Sequence, residues 1–202
     1  MTRKRAPGPR RGTAVSSKGV DRANAILDAA VFLLASEGAG ALSLRRVATE
    51  IGIAVGNLQY YFPTRGHLVR ALLERVMKQA VADLEARFTA ERRTLASLCD
   101  ALLEEHSNPV TCRLFFELWA LAARDEEVAM PMRQFYDTFT EAVARALRVE
   151  HPSVSEGDAS RRARLFVAGL EGLSLFRSGA TGQPNAKLDA DCKRWLLSTL
   201  KT

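Results

Sequence analysis

Residues 43–62 read SLRRVATEIGIAVGNLQYYF, and the apolar pattern of this stretch predicts two short helices. The apolar residues of its first half recur every three or four positions, the spacing of one helix face: Leu44, Val47, Ala48 and Ile51. Ser43 is a suitable N-cap for this helix, and Gly52 can end it in a left-handed turn. The second helix spans residues 56–62, because Pro63 cannot continue its hydrogen bonding. Two short helices across a tight glycine turn predict a helix-turn-helix.

The second of these helices has polar and aromatic residues on the side that should face away from the core. Leu58 and Phe62 lie four residues apart and predict its buried side. The residues outside that stripe are Asn57, Gln59, Tyr60 and Tyr61. Tyrosine hydroxyls and glutamine amides bind phosphates and base edges, and Gly56 lets the backbone approach a phosphate closely. We therefore expect this helix to contact DNA, while a helix-turn-helix used only for protein packing remains the alternative.

The same residues resemble the DNA-binding domain of the TetR family of transcriptional regulators. The resemblance covers about residues 21–68 and rests on the pattern Ser43-Leu44-x-x-Val47-Ala48-x-x-Ile51-Gly52-Ile53-x-x-Gly56-Asn57-Leu58-x-x-Tyr61-Phe62. It implies that Ser43, Tyr61 and Arg65 contact phosphates, and that the major groove is met by Val55, Asn57, Gln59 and Tyr60. The complete set of predicted DNA-binding residues is Ser43, Arg46, Val55, Gly56, Asn57, Gln59, Tyr60, Tyr61, Thr64 and Arg65.

Two positions depart from the family pattern. The family usually has Ser or Thr where Ala54 stands, so the recognition helix lacks its usual cap, at a cost of about 1 kcal/mol. It also usually has Tyr where Gln59 stands, and we expect the glutamine to change which bases are read rather than whether DNA is bound.

The net charge of the 202-residue chain is concentrated at its N-terminus. Residues 1–22 contain seven Lys or Arg and one acid, and they carry the whole formal charge of +6. Residues 1–20 are rich in Gly, Pro and Ser and are predicted to be a disordered basic arm, with order beginning near Asp21. Such an arm can bind nucleic acid or simply aid solubility.

Composition excludes several other classes of protein. No apolar run approaches the ~18 residues of a membrane span, and no secretory signal follows the basic start, so we expect a cytoplasmic protein without a membrane partner. The three cysteines are far apart and should be reduced. Neither these nor the three histidines have metal-ligand spacing, and we recognise no catalytic motif, so no metal, cofactor or enzymatic activity is expected.

The rest of the chain predicts an all-α fold of about nine helices. A DNA-binding domain is expected over residues 21–67 and an effector-binding and dimerisation domain over residues 68–202. A long helix should run from Thr64 to about Phe88, with later helices at about 94–106, 110–123, 126–149, 159–178 and 188–200. Pro131 should sit in the first turn of its helix or kink it.

Aromatic residues accumulate in the body of the chain, where the stretch CRLFFELWA over residues 112–120 resembles BetI-like regulators. We interpret them as the lining of an apolar cavity for an unknown small-molecule effector, with core packing as the alternative. The predicted ligand-binding residues are His106, Phe116, Trp119, Phe135, Tyr136, Phe139 and Phe166. Glu117 is a further polar candidate, and aromatic rings with an acid would favour a cation.

Residues 164–173 resemble the penultimate helix of the family, where an acid-Gly-Leu element lies in the dimer interface. Small residues let another helix approach, and large apolar residues supply buried area. The predicted interface residues are Leu165, Ala168, Gly169, Gly172, Leu173, Phe176, Trp195 and Leu196, with an intrachain core as the alternative.

Together these patterns predict a homodimeric, ligand-responsive repressor that binds a palindromic operator in double-stranded DNA. Two alternatives remain: a helical small-molecule-binding protein or enzyme with a non-binding head, and an activator or architectural DNA binder without an effector.

Overall fold

The computed structural model describes residues 17–89, 94–106, 108–179, 181–183 and 185–201, with side chains undescribed at 17, 18, 84, 88 and 89. Within these ranges all regular structure is helical, which confirms the all-α prediction. The helices are α1 (Ser17–Glu37), α2 (Leu44–Glu50), α3 (Val55–Tyr61), α4 (Arg65–Thr89), α5 (Leu95–Glu105), α6 (Pro109–Ala122), α7 (Glu126–Glu150), α8 (Glu156–Arg177) and α9 (Ala186–Lys201).

Helices α1 to α3 form an N-terminal head around an apolar core. Its buried side chains come from all three helices and from the connections between them: Ile26, Ala30, Leu33, Leu34, Leu42, Val47, Ala48, Leu58 and Phe62. The Ser43 hydroxyl accepts a hydrogen bond from the Arg46 amide and caps α2, as predicted. Gly52 has a φ of 65°, a left-handed conformation that glycine adopts without strain, and the chain turns there into α3. Ala54 precedes α3 without a side-chain cap, as the sequence indicated.

Helix α1 begins at Ser17, four residues before the predicted start at Asp21. The prediction of disorder is therefore wrong for residues 17–20, while the arm over residues 1–16 lies outside the described residues. Adding one turn to an existing helix avoids the unfavourable nucleation step, and Gly19 weakens such a turn by about 1 kcal/mol without breaking it. Val20 is half exposed, so this turn gains little from burial.

Helices α4 to α9 form the body, in which α7 packs against both α4 and α8. Helix α6 lies between the two parts of the molecule, because it packs against α1 on one side and α7 on the other. Helix α9 covers α5 and α8. Pro131 lies in the second turn of α7 rather than the first, and the helix continues on both sides of it. None of the helices in the described ranges is both long and apolar enough to cross a bilayer.

Candidate nucleic-acid interface and ligand cavity

Helix α3 turns one face to the core and the other to solvent. Leu58 is fully buried, whereas the side chain of Tyr60 is 83% exposed. The other predicted base-reading residues, Val55, Asn57 and Gln59, are exposed as well, and so is Gly56. Tyr61 is half-buried, and its ring meets that of Tyr60 edge to face with 5.2 Å between centroids. The structure thus brings the predicted reading residues together on a single accessible surface.

The residues at the edges of that surface have additional roles within the protein. Ser43 and Thr64 both lie at helix N-termini and are exposed. The Thr64 hydroxyl accepts a hydrogen bond from the His67 amide at 3.3 Å and lies 2.8 Å from His67 Nδ1. Arg65 donates from Nε to the Leu42 carbonyl at 2.7 Å, so it anchors the α1–α2 connection.

Arg46 was predicted to bind DNA, but the structure gives it partners within the protein. Its guanidinium bonds Glu37 at 2.6 Å and Glu50 at 2.7 Å, so two carboxylates already neutralise it. The hydrogen bond that Arg46 donates to Glu37, and then the one that it donates to Glu50, raise the pKa of Arg46. Spacing on α2 could reveal the Glu50 pair, but Glu37 belongs to α1 and comes near only through the fold. Arg46 therefore joins α1 to α2.

A cavity of about 70 Å³ lies in the body and is lined by residues of α4 to α8. Three predicted ligand residues line it: His106, Phe135 and Phe139. Phe115, which belongs to the aromatic stretch that the sequence analysis singled out, lines it too. The remaining lining residues, which were not predicted, include Arg87, Glu105, Thr111, Cys112, Glu171 and Ser174. The cavity is small for an effector pocket, since such pockets usually measure about 300–1,000 Å³. A molecule of effector size therefore needs the groups that line this cavity to shift.

The other four predicted ligand residues do not line this cavity. Phe166 is 1% exposed and belongs to the core. Phe116 packs beside Trp119 and does not line the cavity, because one step along α6 rotates its side chain by about 100° from that of Phe115. Trp119 and Tyr136 line an open groove instead, where the indole Nε1 donates to the Tyr136 hydroxyl at 2.9 Å.

Glu171 is the polar centre of the cavity, and sequence reasoning placed it in the dimer element instead. Its carboxylate lies 3.4 Å from His106 Nε2, and its charge raises the pKa of Tyr136. Its side chain is only 15% exposed. The available signal was a single carboxylate within the otherwise uncharged run of residues 165–176. A buried acid needs a partner, which predicts a specific role for it.

His106 has a hydrogen-bond acceptor beside each ring nitrogen. Nδ1 lies 2.8 Å from the Leu102 carbonyl, and Nε2 faces Glu171. Burial lowers the pKa of His106, but the Glu171 carboxylate and the Leu102 carbonyl outweigh burial, so the pKa is raised. Burial, and then the charge of Glu171, raise the pKa of Tyr136. The negative charge of Glu171 therefore raises the pKa of both neighbouring side chains, His106 and Tyr136.

The outer face of α8 and α9 carries large exposed apolar side chains. Five predicted interface residues are exposed: Leu165, Ala168, Gly172, Phe176 and Trp195. Leu175 and Leu188, which were not predicted, are exposed too. We call these seven residues the α8–α9 face.

Three predicted interface residues are used within the chain instead. Leu196 is fully buried, so its assignment to an interface is wrong, and Leu173 packs partly against the core. A Cβ on Gly169 would overlap the Trp195 ring, so this glycine serves the close approach of α8 and α9. The sequence could not separate these positions because the two helices also pack on each other.

Within the described ranges, no group of three or more His, Cys, Asp or Glu side chains is arranged to hold a metal ion. The three cysteines are free thiols, and Cys99 and Cys112 are buried. Burial raises the pKa of Cys99 to about 11. These thiols are therefore protonated near neutral pH and are poor nucleophiles.

Comparison with known proteins identifies both parts of the chain. Residues 26–72 match the family model for bacterial regulatory proteins of the tetR family. Residues 90–201 match the model for the C-terminal part of BetI-type transcriptional repressors. Both models describe transcriptional regulators rather than enzymes.

Individual relatives agree with these family models. An HTH-type transcriptional regulator in the dhlA 5' region of Xanthobacter autotrophicus is 34% identical over 129 residues, which span 60% of this chain and 63% of that protein. The regulator BetI of Rhizobium meliloti is 25% identical over 161 residues, 78% of each chain.

Solved structures share the fold at lower identity. A transcriptional regulator from Pseudomonas aeruginosa superposes with a TM-score of 0.76 at 17% identity, covering 90% of this chain and 91% of that one. A regulator from Saccharomonospora viridis, solved in complex with choline, gives a TM-score of 0.74 at 18% identity, covering 90% and 96%.

Proposed function

Because the chain belongs to the TetR family of transcriptional regulators, we propose that it is a ligand-controlled repressor which binds a pseudo-palindromic operator as a homodimer. Two copies of α3 would enter successive major grooves, about 34–36 Å apart. The observation that carries this proposal is the accessible polar face of α3, on which Asn57, Gln59 and Tyr60 are all exposed.

We assign these exposed groups to two kinds of contact. Gln59, Asn57 and Tyr60 read base edges, because amides and hydroxyls can donate and accept there. Ser43, Tyr61 and Thr64 lie at the margins of α3 and bind phosphates, which set the register of the protein on the duplex.

The dimer forms through the α8–α9 face. Leu165, Phe176 and Trp195 are each more than half exposed, and apolar groups of this size at neighbouring positions mark interaction surfaces. Two such faces related by a two-fold axis bury each other, since an isologous interface uses the same patch twice.

The effector is a small organic cation. Glu171 supplies a buried carboxylate, and the rings of Phe115, Phe135 and Phe139 surround the same cavity. Aromatic faces attract cations, most strongly where water is excluded. The choline complex of the Saccharomonospora viridis neighbour supports this chemistry for the fold.

Binding and DNA release are linked through the helices that enclose the cavity. A ligand in this small cavity must displace helices, and α4 and α6 both lead from it toward the head. The ligand releases the operator to the extent that it prefers the displaced state over the DNA-bound state.

DNA binding is tested by selecting duplexes from a random pool with the full chain. We expect an inverted repeat whose half-sites lie about one helical turn apart. Asn57→Ala with Gln59→Ala should lose the selected sequence, whereas Arg113→Ala, an exposed change on α6, should retain it. A pool that shows no preferred sequence after selection would refute operator recognition.

Effector chemistry is tested with choline and its neutral isostere 3,3-dimethyl-1-butanol, in which carbon replaces the ammonium nitrogen. We expect choline to bind at least about tenfold more tightly by calorimetry, because only the cation gains from Glu171 and the rings. Glu171→Gln should remove most of this preference, and Glu141→Gln, at an exposed site on α7, should leave it unchanged. Equal affinity for both compounds, or none for either, would exclude a cation of this size.

A further inference from the structure

The turn between α1 and α2 is bound by the body from two sides. The Ala39 amide donates to Glu117 Oε2 of α6 at 2.8 Å. The Ala39 carbonyl accepts a hydrogen bond from Arg65 Nη2 at the start of α4, at 2.9 Å. A single residue of the head, Ala39, is therefore hydrogen-bonded to two helices of the body.

The contact with α6 leaves little free space. Gly38 has a φ of 82°, a left-handed conformation that ends α1. A Cβ at this position would stand 3.2 Å from Glu117 Oε1, closer than most side-chain contacts allow. Glu117 itself is half-buried against the turn. Close packing of this kind transmits displacement rather than absorbing it.

The other half of α6 lines the ligand cavity. Thr111, Cys112 and Phe115 all face that cavity, and Glu117 follows only two residues after Phe115. A helix of 14 residues with intact hydrogen bonds moves as a unit over this distance. Displacement of the cavity-lining half therefore shifts the Glu117 carboxylate relative to Ala39.

The displacement continues from the turn into α2. Ser43 ends the turn and caps α2, and Glu37 before the turn bonds Arg46 within α2. A shift at Ala39 therefore acts on the helix that supports α3.

We propose that Glu117 is the positioning residue that couples the ligand cavity to the DNA-binding head, through its bond to the Ala39 amide. This route runs through α6 and does not require α4 to move. The proposal rests on the proposed control by a ligand. It gives Glu117 a role in coupling rather than in ligand contact, since Glu117 is not among the residues that line the cavity.

The test replaces the ligand by a side chain that fills the cavity. Thr111→Phe is built in three backgrounds: Glu117, Glu117→Ala and Glu117→Gln. Amide hydrogen exchange of α2, at Val47 and Ala48, measures the opening of the head. Neither DNA nor effector takes part, so the result stands even if choline or the operator proves wrong.

We expect Thr111→Phe to lower α2 protection about tenfold when Glu117 is present, the usual scale of coupling between sites. With Glu117→Ala the filler should change protection less than about twofold, because the link is absent. Glu117→Gln keeps an oxygen that accepts from the Ala39 amide and should restore most of the response. Arg113→Ala, an exposed change on the same helix, should behave like the unmodified chain.

An equal loss of protection in the Glu117 and Glu117→Ala backgrounds would overturn the proposal, because a purely structural contact lowers head stability without changing the response to the filler. Cys112→Phe, a second filler on the same helix, serves if Thr111→Phe does not fold. The operator offers a second readout: Glu117→Ala should reduce the effect of the filler on operator affinity by the same factor.

Discussion

The head and the body place their polar functional groups differently: the head exposes them and the body buries them. The head buries an apolar core and exposes polar groups on α3, with Leu58 inside and Tyr60 outside. The body encloses the polar group Glu171 and surrounds it with His106 and aromatic rings. A surface that binds DNA must be rigid and accessible to the duplex. A ligand sensor instead needs a buried group, here Glu171, that can exchange its contacts within the protein for contacts with a ligand. The difference places recognition in the head and responsiveness in the body.

The largest expected effect concerns the core of the head. Leu58→Ala should lower the free energy of unfolding by about 2–5 kcal/mol, because a fully buried leucine leaves a cavity. Tyr60→Ala, at an exposed position of the same helix, should change it by no more than about 0.5 kcal/mol. Urea unfolding measures both. Equal losses would mean that the two faces of α3 are not divided as described.

The next effect separates base reading from phosphate binding. Gln59→Ala should reduce discrimination at one or two base pairs by about 1–3 kcal/mol. Tyr61→Phe removes only a hydroxyl and should weaken binding to all duplexes about equally. Affinities for the selected operator and its single-base variants distinguish the two outcomes, and uniform loss for both variants would contradict our assignment.

The buried charges of the body predict a pH dependence. The pKa of His106 is raised on folding, so its contribution to stability is complete below its unfolded pKa of about 6.5 and is lost as pH rises through the folded value. The loss should not exceed about 1.4 kcal/mol per pH unit, the slope for one proton. Denaturation between pH 6 and 8 measures it, before the cysteines ionise.

His106→Gln supplies the control for this pH dependence. It removes the titrating group beside Glu171, and the slope over the same pH window should flatten. A slope that persists in this variant would assign the titration to another group.

The smallest expected effect is at the start of α3. Ala54→Ser supplies the missing cap and should stabilise the head by about 1 kcal/mol. Ala54→Gly offers no hydroxyl and is the matched control. Thermal unfolding compares them, and a serine variant no more stable than the glycine variant would show that the first turn needs no cap.

The sequence predicted the head better than the body, because the contacts of the head are mostly local in sequence. The helix-turn-helix is local, so the spacing of Leu44, Val47 and Leu58 and the glycine at 52 were enough to place its helices and its outer face. The absence of a cap at Ala54 was visible for the same reason.

The cavity depends on how distant helices rotate against one another, which a single sequence does not contain. Phe115 rather than Phe116 lines it because of the orientation of α6. Glu171 joins it only because α8 packs beside α6 and α7, and Leu196 is buried because α9 folds back on its own chain. Pairs between different helices, such as Glu37 of α1 with Arg46 of α2, escaped prediction for the same reason.

The Trp195 ring, seated over Gly169, has a consequence for association between copies. The ring is more than half exposed, yet its inner edge is already fixed by its own subunit. Immobilising a mobile side chain at an interface costs about 0.5–1.5 kcal/mol of entropy. Because the ring is already ordered when the chain folds, a second subunit that binds here does not have to immobilise it. The entropy cost of association at Trp195 is therefore small.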